Sequence, residues 1–338
     1  MSYTVDALDE VRAKIAASDT VLAEARNRLR LVREIASTFP GALRTYASGS
    51  IAQFTVNHPV SDGDGGLVLN RRCYPALGPD GGGEAPQQVV LDLCALLAPK
   101  LRADYRAATC HKSKRGPKLH FAVPIQDQDP TVDLVVGLTR RDGNGLWIPN
   151  LEDNTWEASD PEKHVLLLNT GTVALVRLRR RVNRLVKAWN KQFTEPGFSS
   201  HNLSMLAYEC VAGGQNLADA LAGYFAYAAE AVAAGDIEDP AGVSVPIKLL
   251  IPRVDAVRRL RLAAAALDEA LVHDDDQQAV RAALAKVYWN YDLDSASGTF
   301  AGAVNALRRS PRVTTATLGL GGPATVVRPT RAYGGASR

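Results

Sequence analysis

Two carboxylates spaced two apart, Asp62 and Asp64, stand immediately ahead of the apolar run Leu67-Val68-Leu69. Residues i and i+2 of a strand share a face, so a strand beginning near Asp62 projects both acids from one side of its mouth. Charges held that close repel one another unless a metal ion or a proton lies between them. The pair therefore reads first as a divalent-metal site, with the oxygen ligands that Mg²⁺ prefers. The competing reading is a turn-and-cap pair in a glycine-rich loop. A Gly-Ser pair, Gly49-Ser50, precedes the acids, and three glycines, Gly63, Gly65 and Gly66, are interleaved with them. Those glycines predict a flexible strand entry.

The periodicity around this strand divides the chain. Residues 5–39 read as helix with a break near Ser18-Asp19; Val21, Ala25, Leu29, Val32 and Ala36 form its apolar stripe, and Arg26, Arg28, Arg30 and Arg33 lie between them. Such a helix is expected across the back of a sheet. Residues 77–88 are a polar, glycine-rich surface loop. A short helix follows over 91–102, with Leu91, Cys94, Leu97 and Leu101 inward. Leu119, Phe121, Val123 and Ile125 alternate, a polar turn intervenes, and Val132, Leu134, Val136 and Leu138 alternate again, which predicts a hairpin. Asp133 falls on the face opposite Val132 and Leu134, where a bare acid needs a reason; the plain one is an exposed position on an edge strand. From Thr172 the pattern is helical: Leu175, Leu178, Val182, Leu185 and Trp189 form an apolar stripe, and Arg180, Arg184, Lys187 and Lys191 a basic one that reads as a solvated or interdomain face. Further helices are expected at 200–212, 216–234, 253–273 and 276–290, the last opened by Asp274-Asp275-Asp276. Trp156 and Trp189 read as core. A mixed half (1–150), a helical half (151–308) and an extended tail (309–338) result.

Composition narrows the function. The 338 residues carry 39 basic and 36 acidic side chains, a net charge of +3, so no global field argues for a stable nucleic-acid complex. Cys73, Cys94, Cys110 and Cys210 lack metal or disulfide spacing, and Cys110-His111 has no partners at zinc spacing. No apolar run approaches the roughly 18 residues of a membrane span, and the N-terminus lacks a signal-peptide pattern. These features predict a cytoplasmic protein without a membrane partner.

Gly49-Ser50, Asp62-Gly63-Asp64 and the later Asp133 together resemble the polymerase-beta-like nucleotidyltransferase superfamily. The segments LWIPNLEDNTWEASDPEKH (146–164), RVNRLVKAWNKQF and SSHNLSMLAYE (181–209) resemble, more narrowly, the CD-NTases, the cyclic-oligonucleotide synthases of CBASS anti-phage defence. The resemblance runs from the first helix to about residue 290. It implies an α+β fold, with a nucleotidyltransferase core followed by an all-helical oligoadenylate-synthase-like domain. It also implies that Asp62, Asp64 and Asp133 hold Mg²⁺ or Mn²⁺, that Gly49 and Ser50 contact the phosphates, and that Lys187 and Ser200 secure the triphosphate of an NTP substrate. Without it, Lys187 is a solvated charge on an amphipathic helix and Ser200 a helix N-cap. Implied partners are an effector activated by the product and a ubiquitin-ligase-like regulator at the C-terminus; the latter would require trimming of Arg338. A non-cyclising transferase acting on RNA or protein, and an inactive nucleotide-binding module, are the alternatives.

Overall fold

The computed structural model describes residues 2–84 and 86–293; the tail expected over 309–338, and with it the C-terminal regulator site, lies outside them. In chain order the elements are α1 (Tyr3–Lys14), α2 (Asp19–Ala36), β1 (Ala42–Ser48), α3 (Gly49–Gln53), β2 (Asp62–Leu69), α4 (Gln87–Leu101), β3 (Thr109–Ser113), β4 (Gly116–His120), β5 (Thr131–Thr139), β6 (Leu146–Asn150) and β7 (Thr155–Ser159), then α5 (Pro161–Asn169), α6 (Val173–Lys191), α7 (Ser200–Cys210), α8 (Leu217–Ala234), α9 (Arg253–Val272) and α10 (Gln277–Val287).

The strands form one sheet of order β1-β2-β5-β4-β3, extended by β6 on β5 and β7 on β6. Only β2 and β5 run parallel among these pairs. Alternation fixes what each face does. Leu67 and Leu69 of β2 and Val132, Leu134 and Val136 of β5 share a core with Val21, Ala25, Leu29 and Val32 of α2 and Val90, Leu93 and Leu97 of α4. The opposite face is left to Asp62, Asp64 and Asp133. Leu91 departs from its expected inward place and is exposed, because α4 begins at Gln87 and turns Val90 and Leu93 inward instead.

The break near Ser18 has a larger consequence than a kink. While α2 lies on the sheet, α1 does not: Ala7, Leu8, Val11 and Ile15 are buried with Leu185 and Trp189 of α6 and with α8, α9 and α10. Asp274, read as part of the opening of α10, instead accepts from Thr4 N (2.7 Å) and Ser2 Oγ (3.1 Å) at the start of α1. The cap of α10 is Asp276, which takes Gln278 N and Ala279 N.

The expected hairpin is present but offset. Lys118 and Leu119 pair with Asp133 and Val132, and β4 stops at His120 because the chain then bends through Ala122 (φ 55°). Arg28, which the sequence sets between positions of the apolar stripe, is fully buried and organises this bend. Its guanidinium bonds Glu24 (2.8 Å), Asp129 (2.5 Å) and the carbonyls of Pro130 and Val123, and it lies over the Phe121 ring at 4.7 Å. Removing one member of a buried charge network leaves the others uncompensated, at about 3–5 kcal/mol. Arg28→Ala is expected to lower stability by about 3 kcal/mol in urea unfolding; a loss within experimental error would place that network outside the folding energetics.

Candidate active site

Because β2 and β5 are parallel neighbours with Asp64 opposite Asp133, the three acids share one sheet face, and their carboxylate oxygens lie within 4.8 Å of one another. Burial, reinforced by the charges of Asp62 and Asp133, pushes the Asp64 carboxyl up to about 7. Three oxygen donors that repel one another and hold a proton near neutrality suit a divalent cation, which would replace that proton.

The glycines answer to packing rather than to looseness. A Cβ on Gly65 would lie 2.8 Å from Tyr46 O and 3.0 Å from Leu29 Cδ1, and one on Gly66 would enter the Tyr46 ring at 2.1 Å. Gly63 faces Leu29 and Ile51 at 3.3 Å. Helix α2 and Tyr46 therefore approach β2 more closely than any side chain permits. Gly49 serves the carboxylates directly: its φ is 59°, and an added Cβ would sit 1.8 Å from Asp64 Oδ2.

A cleft of about 530 Å³ lies between this face and the helical half; Gly49, Ser50, Asp62, Asp64, Lys187 and Ser200 line it. Asp133 is not in its lining but joins the other acids through the 4.8 Å cluster. Lys187 is buried on α6 and donates to Thr55 O at 3.1 Å; burial and then Lys191 pull its pKa down to about 8, against the opposing pull of Asp62 and Asp64. Ser200 is the first residue of α7, and the cap is Ser199, whose Oγ accepts from Asn202 N. The rest of the basic stripe divides. Arg184 donates to Asn57 Oδ1 (3.0 Å) and Arg180 to Asn169 Oδ1 (2.9 Å), so both tie α6 to neighbouring elements, whereas Lys191, read as solvated, lines the cleft. Tyr288 is wholly buried and Trp189 packs in the helical core.

Three contributors escaped the sequence. Lys118 donates to Asp133 Oδ2 at 2.8 Å; its only signal was the hairpin register, which the offset of β4 obscured. His164 of α5 and His201 of α7 also line the cleft, and burial, then His164, pulls the His201 imidazole down to about 4, so it is neutral. Cys94 and Cys110, unpaired by spacing, lie with their sulfurs 2.8 Å apart, away from the acids' sheet face, on α4 and β3.

The Asp64 shift gives a signed pH prediction. Between the unfolded value near 3.8 and the folded value of about 7, the native chain binds one proton that the unfolded chain does not. Stability from this group therefore falls as pH rises through that window and is level above it. A cation that displaces the proton should stabilise more at pH 8 than at pH 6. Thermal unfolding with and without Mg²⁺ at the two pH values checks this, and an equal or larger gain at pH 6 would contradict the protonated Asp64.

Neither family models nor curated protein sequences yield a match to this chain. Solved structures do. CdnG, a CD-NTase of Bradyrhizobium diazoefficiens solved with GTP, is 15% identical with a TM-score of 0.63, over 86% of this chain and 96% of its own. CdnC of Escherichia coli MS115-1, solved in complex with HORMA-deltaN, is 16% identical with a TM-score of 0.61, over 86% and 98%. The cyclic AMP-GMP synthase DncV of Vibrio cholerae is 16% identical with a TM-score of 0.55, over 86% and 87%. The α+β core and the helical half that follows it thus share the fold of these CD-NTase structures.

Proposed function

We propose that this chain is a divalent-metal-dependent nucleotidyltransferase that condenses NTPs into a cyclic di- or oligonucleotide with release of pyrophosphate, a messenger in CBASS defence for an effector elsewhere in the cell. The observation that carries the reading is the convergence of Asp62, Asp64 and Asp133 within 4.8 Å, on a face that opens into a cleft lined by Gly49, Ser50 and Lys187. The fold shared with a cyclic AMP-GMP synthase supports it.

Asp62, Asp64 and Asp133 would hold Mg²⁺ or Mn²⁺, which when bound would neutralise the attacking and leaving oxygens of an in-line displacement at the α-phosphate. The chain's own part is to arrange charge and position. Asp64 gives up its proton on loading. Gly49 keeps the space around the Asp64 carboxylate clear, and the Ser50 hydroxyl, in the cleft lining, would donate to the β/γ phosphates. Lys187, depressed to about 8, becomes fully cationic beside a triphosphate, as any ammonium does next to an opposite charge. Lys118, beside Asp133, supplies positive charge on the opposite flank and would give up Asp133 to a loaded site.

Incubating the purified protein with α-³²P-labelled NTPs and Mg²⁺ or Mn²⁺ tests the reading. A small, phosphatase-resistant product is expected. Label on macromolecules would favour a non-cyclising transferase, and NTP binding without turnover an inactive binding module; either result overturns the proposal.

A further inference from the structure

The acids occupy one side of the cleft, and a second group of metal-ligand side chains converges on its helical side. His164 comes from α5, His201 from α7 and Asp239 from the connection between α8 and α9. Their ligand atoms lie within 4.8 Å of one another. His164 Nε2 is 2.7 Å from Asp239 Oδ1, and the two imidazole rings are tilted at 58° with centroids 4.4 Å apart.

Each side chain is prepared for a cation in its own way. Asp239 is buried. Ser244 Oγ and N, Val243 N, Ala241 N and His164 all bond its oxygens and fix its orientation, as hydrogen bonds commonly do for ligating carboxylates. The ring nitrogens of His201 make no hydrogen bond among the described residues. His164 is buried at 7% exposure and bonds only Asp239 through its ring.

We propose that His164, His201 and Asp239 form a second metal site, for an imidazole-preferring divalent ion of the Zn²⁺ class, separate from the acid cluster. Two nitrogens and one oxygen are a donor set that suits Zn²⁺ and not Mg²⁺. Bonds of about 2.1 Å place tetrahedral ligands about 3.4 Å apart, within the 4.8 Å span of this group, and the His164–Asp239 pair, hydrogen-bonded at 2.7 Å, would open by several tenths of an ångström to admit the ion. Three protein ligands leave a fourth position. Because His164 and His201 both line the cleft, that position opens toward it, where a water or a nucleotide heteroatom completes the shell. The ion would pin α5 and α7 to the loop after α8 and fix the wall that carries Ser200.

The test uses the full chain, stripped with a chelator and returned to buffer with excess Mg²⁺ to fill the acid cluster, and no nucleotide. Its outcome is thus independent of NTP turnover. Titration with ZnCl₂ and elemental analysis after gel filtration are expected to give one Zn²⁺ per chain. His201→Ala should weaken Zn²⁺ binding by more than the roughly 100-fold that loss of a mere outer-shell partner costs, while Asp62→Asn combined with Asp64→Asn should leave it unchanged. Co²⁺-loaded wild-type protein should show visible absorption of a tetrahedral site that Zn²⁺ bleaches, a readout that stands even where His201→Ala fails to fold. No retained Zn²⁺ in the wild type, undiminished binding by a folded His201→Ala, loss of Zn²⁺ with the Asp62/Asp64 pair, or a Co²⁺ spectrum without tetrahedral absorption would overturn the proposal.

Discussion

Asp64→Asn is expected to lower NTP turnover by at least about a thousandfold, the scale on which preorganised electrostatic stabilisation of a transition state operates, while raising the melting temperature of the metal-free protein. The two effects have one origin. Asp64 is held among Asp62 and Asp133 in a largely buried position, and its pKa of about 7 measures how unwelcome its charge is there without a cation. Asparagine keeps the shape and removes the charge, so the folded state loses a repulsion and the site loses a ligand. Asp133→Asn should cost similar activity but gain less stability, because Lys118 already partners Asp133 at 2.8 Å. Product formation from labelled NTPs and thermal unfolding at pH 8 would be measured side by side; an Asp64→Asn protein that keeps its turnover, or that melts lower, removes the carboxylate-cluster account.

Gly49→Ala should be nearly as damaging by a different route. The new methyl group meets Asp64 Oδ2 at 1.8 Å in a backbone held at φ 59°. Left-handed backbone costs a non-glycine residue about 1–2 kcal/mol, and displacement of a reacting group by an ångström costs about 100-fold in rate. A loss of about 100-fold in kcat is expected, and Gly49→Ala should cost far less when made in the Asp64→Asn protein, since both changes act on the Asp64 carboxylate. Ser50→Ala, which removes only a hydroxyl, should retain far more activity. Equal losses at the two positions would mean that Gly49 acts through phosphate contact alone.

How much of this was legible beforehand follows from the range of the interactions involved. The acid pair, its strand and the third acid could be read because alternation is a local rule and Asp133 breaks it visibly. The helices of the second half could be read for the same reason. Arg28 could not, because its burial depends on Asp129 and two carbonyls about a hundred residues away. The glycines of β2 were misread for a related reason: flexibility is the local property of glycine, whereas their use here is to admit Leu29 and Tyr46 from other elements. His164, His201 and Asp239 carry no spacing signal, since three separate elements bring them together.

The first helix belongs to the helical core and the second to the sheet, so the backbone passes from one half to the other at residues 15–18 and returns after β7. At the first passage Ile15 O accepts from His58 N at 2.9 Å, and Asn57 and Arg184 clasp each other across the same seam. The two halves are therefore stitched by the chain itself in two places, and the first stitch is reinforced by the bonds at Ile15 and Asn57, with Lys187 to Thr55 O and Arg44 to Glu162 as further ties across the same seam.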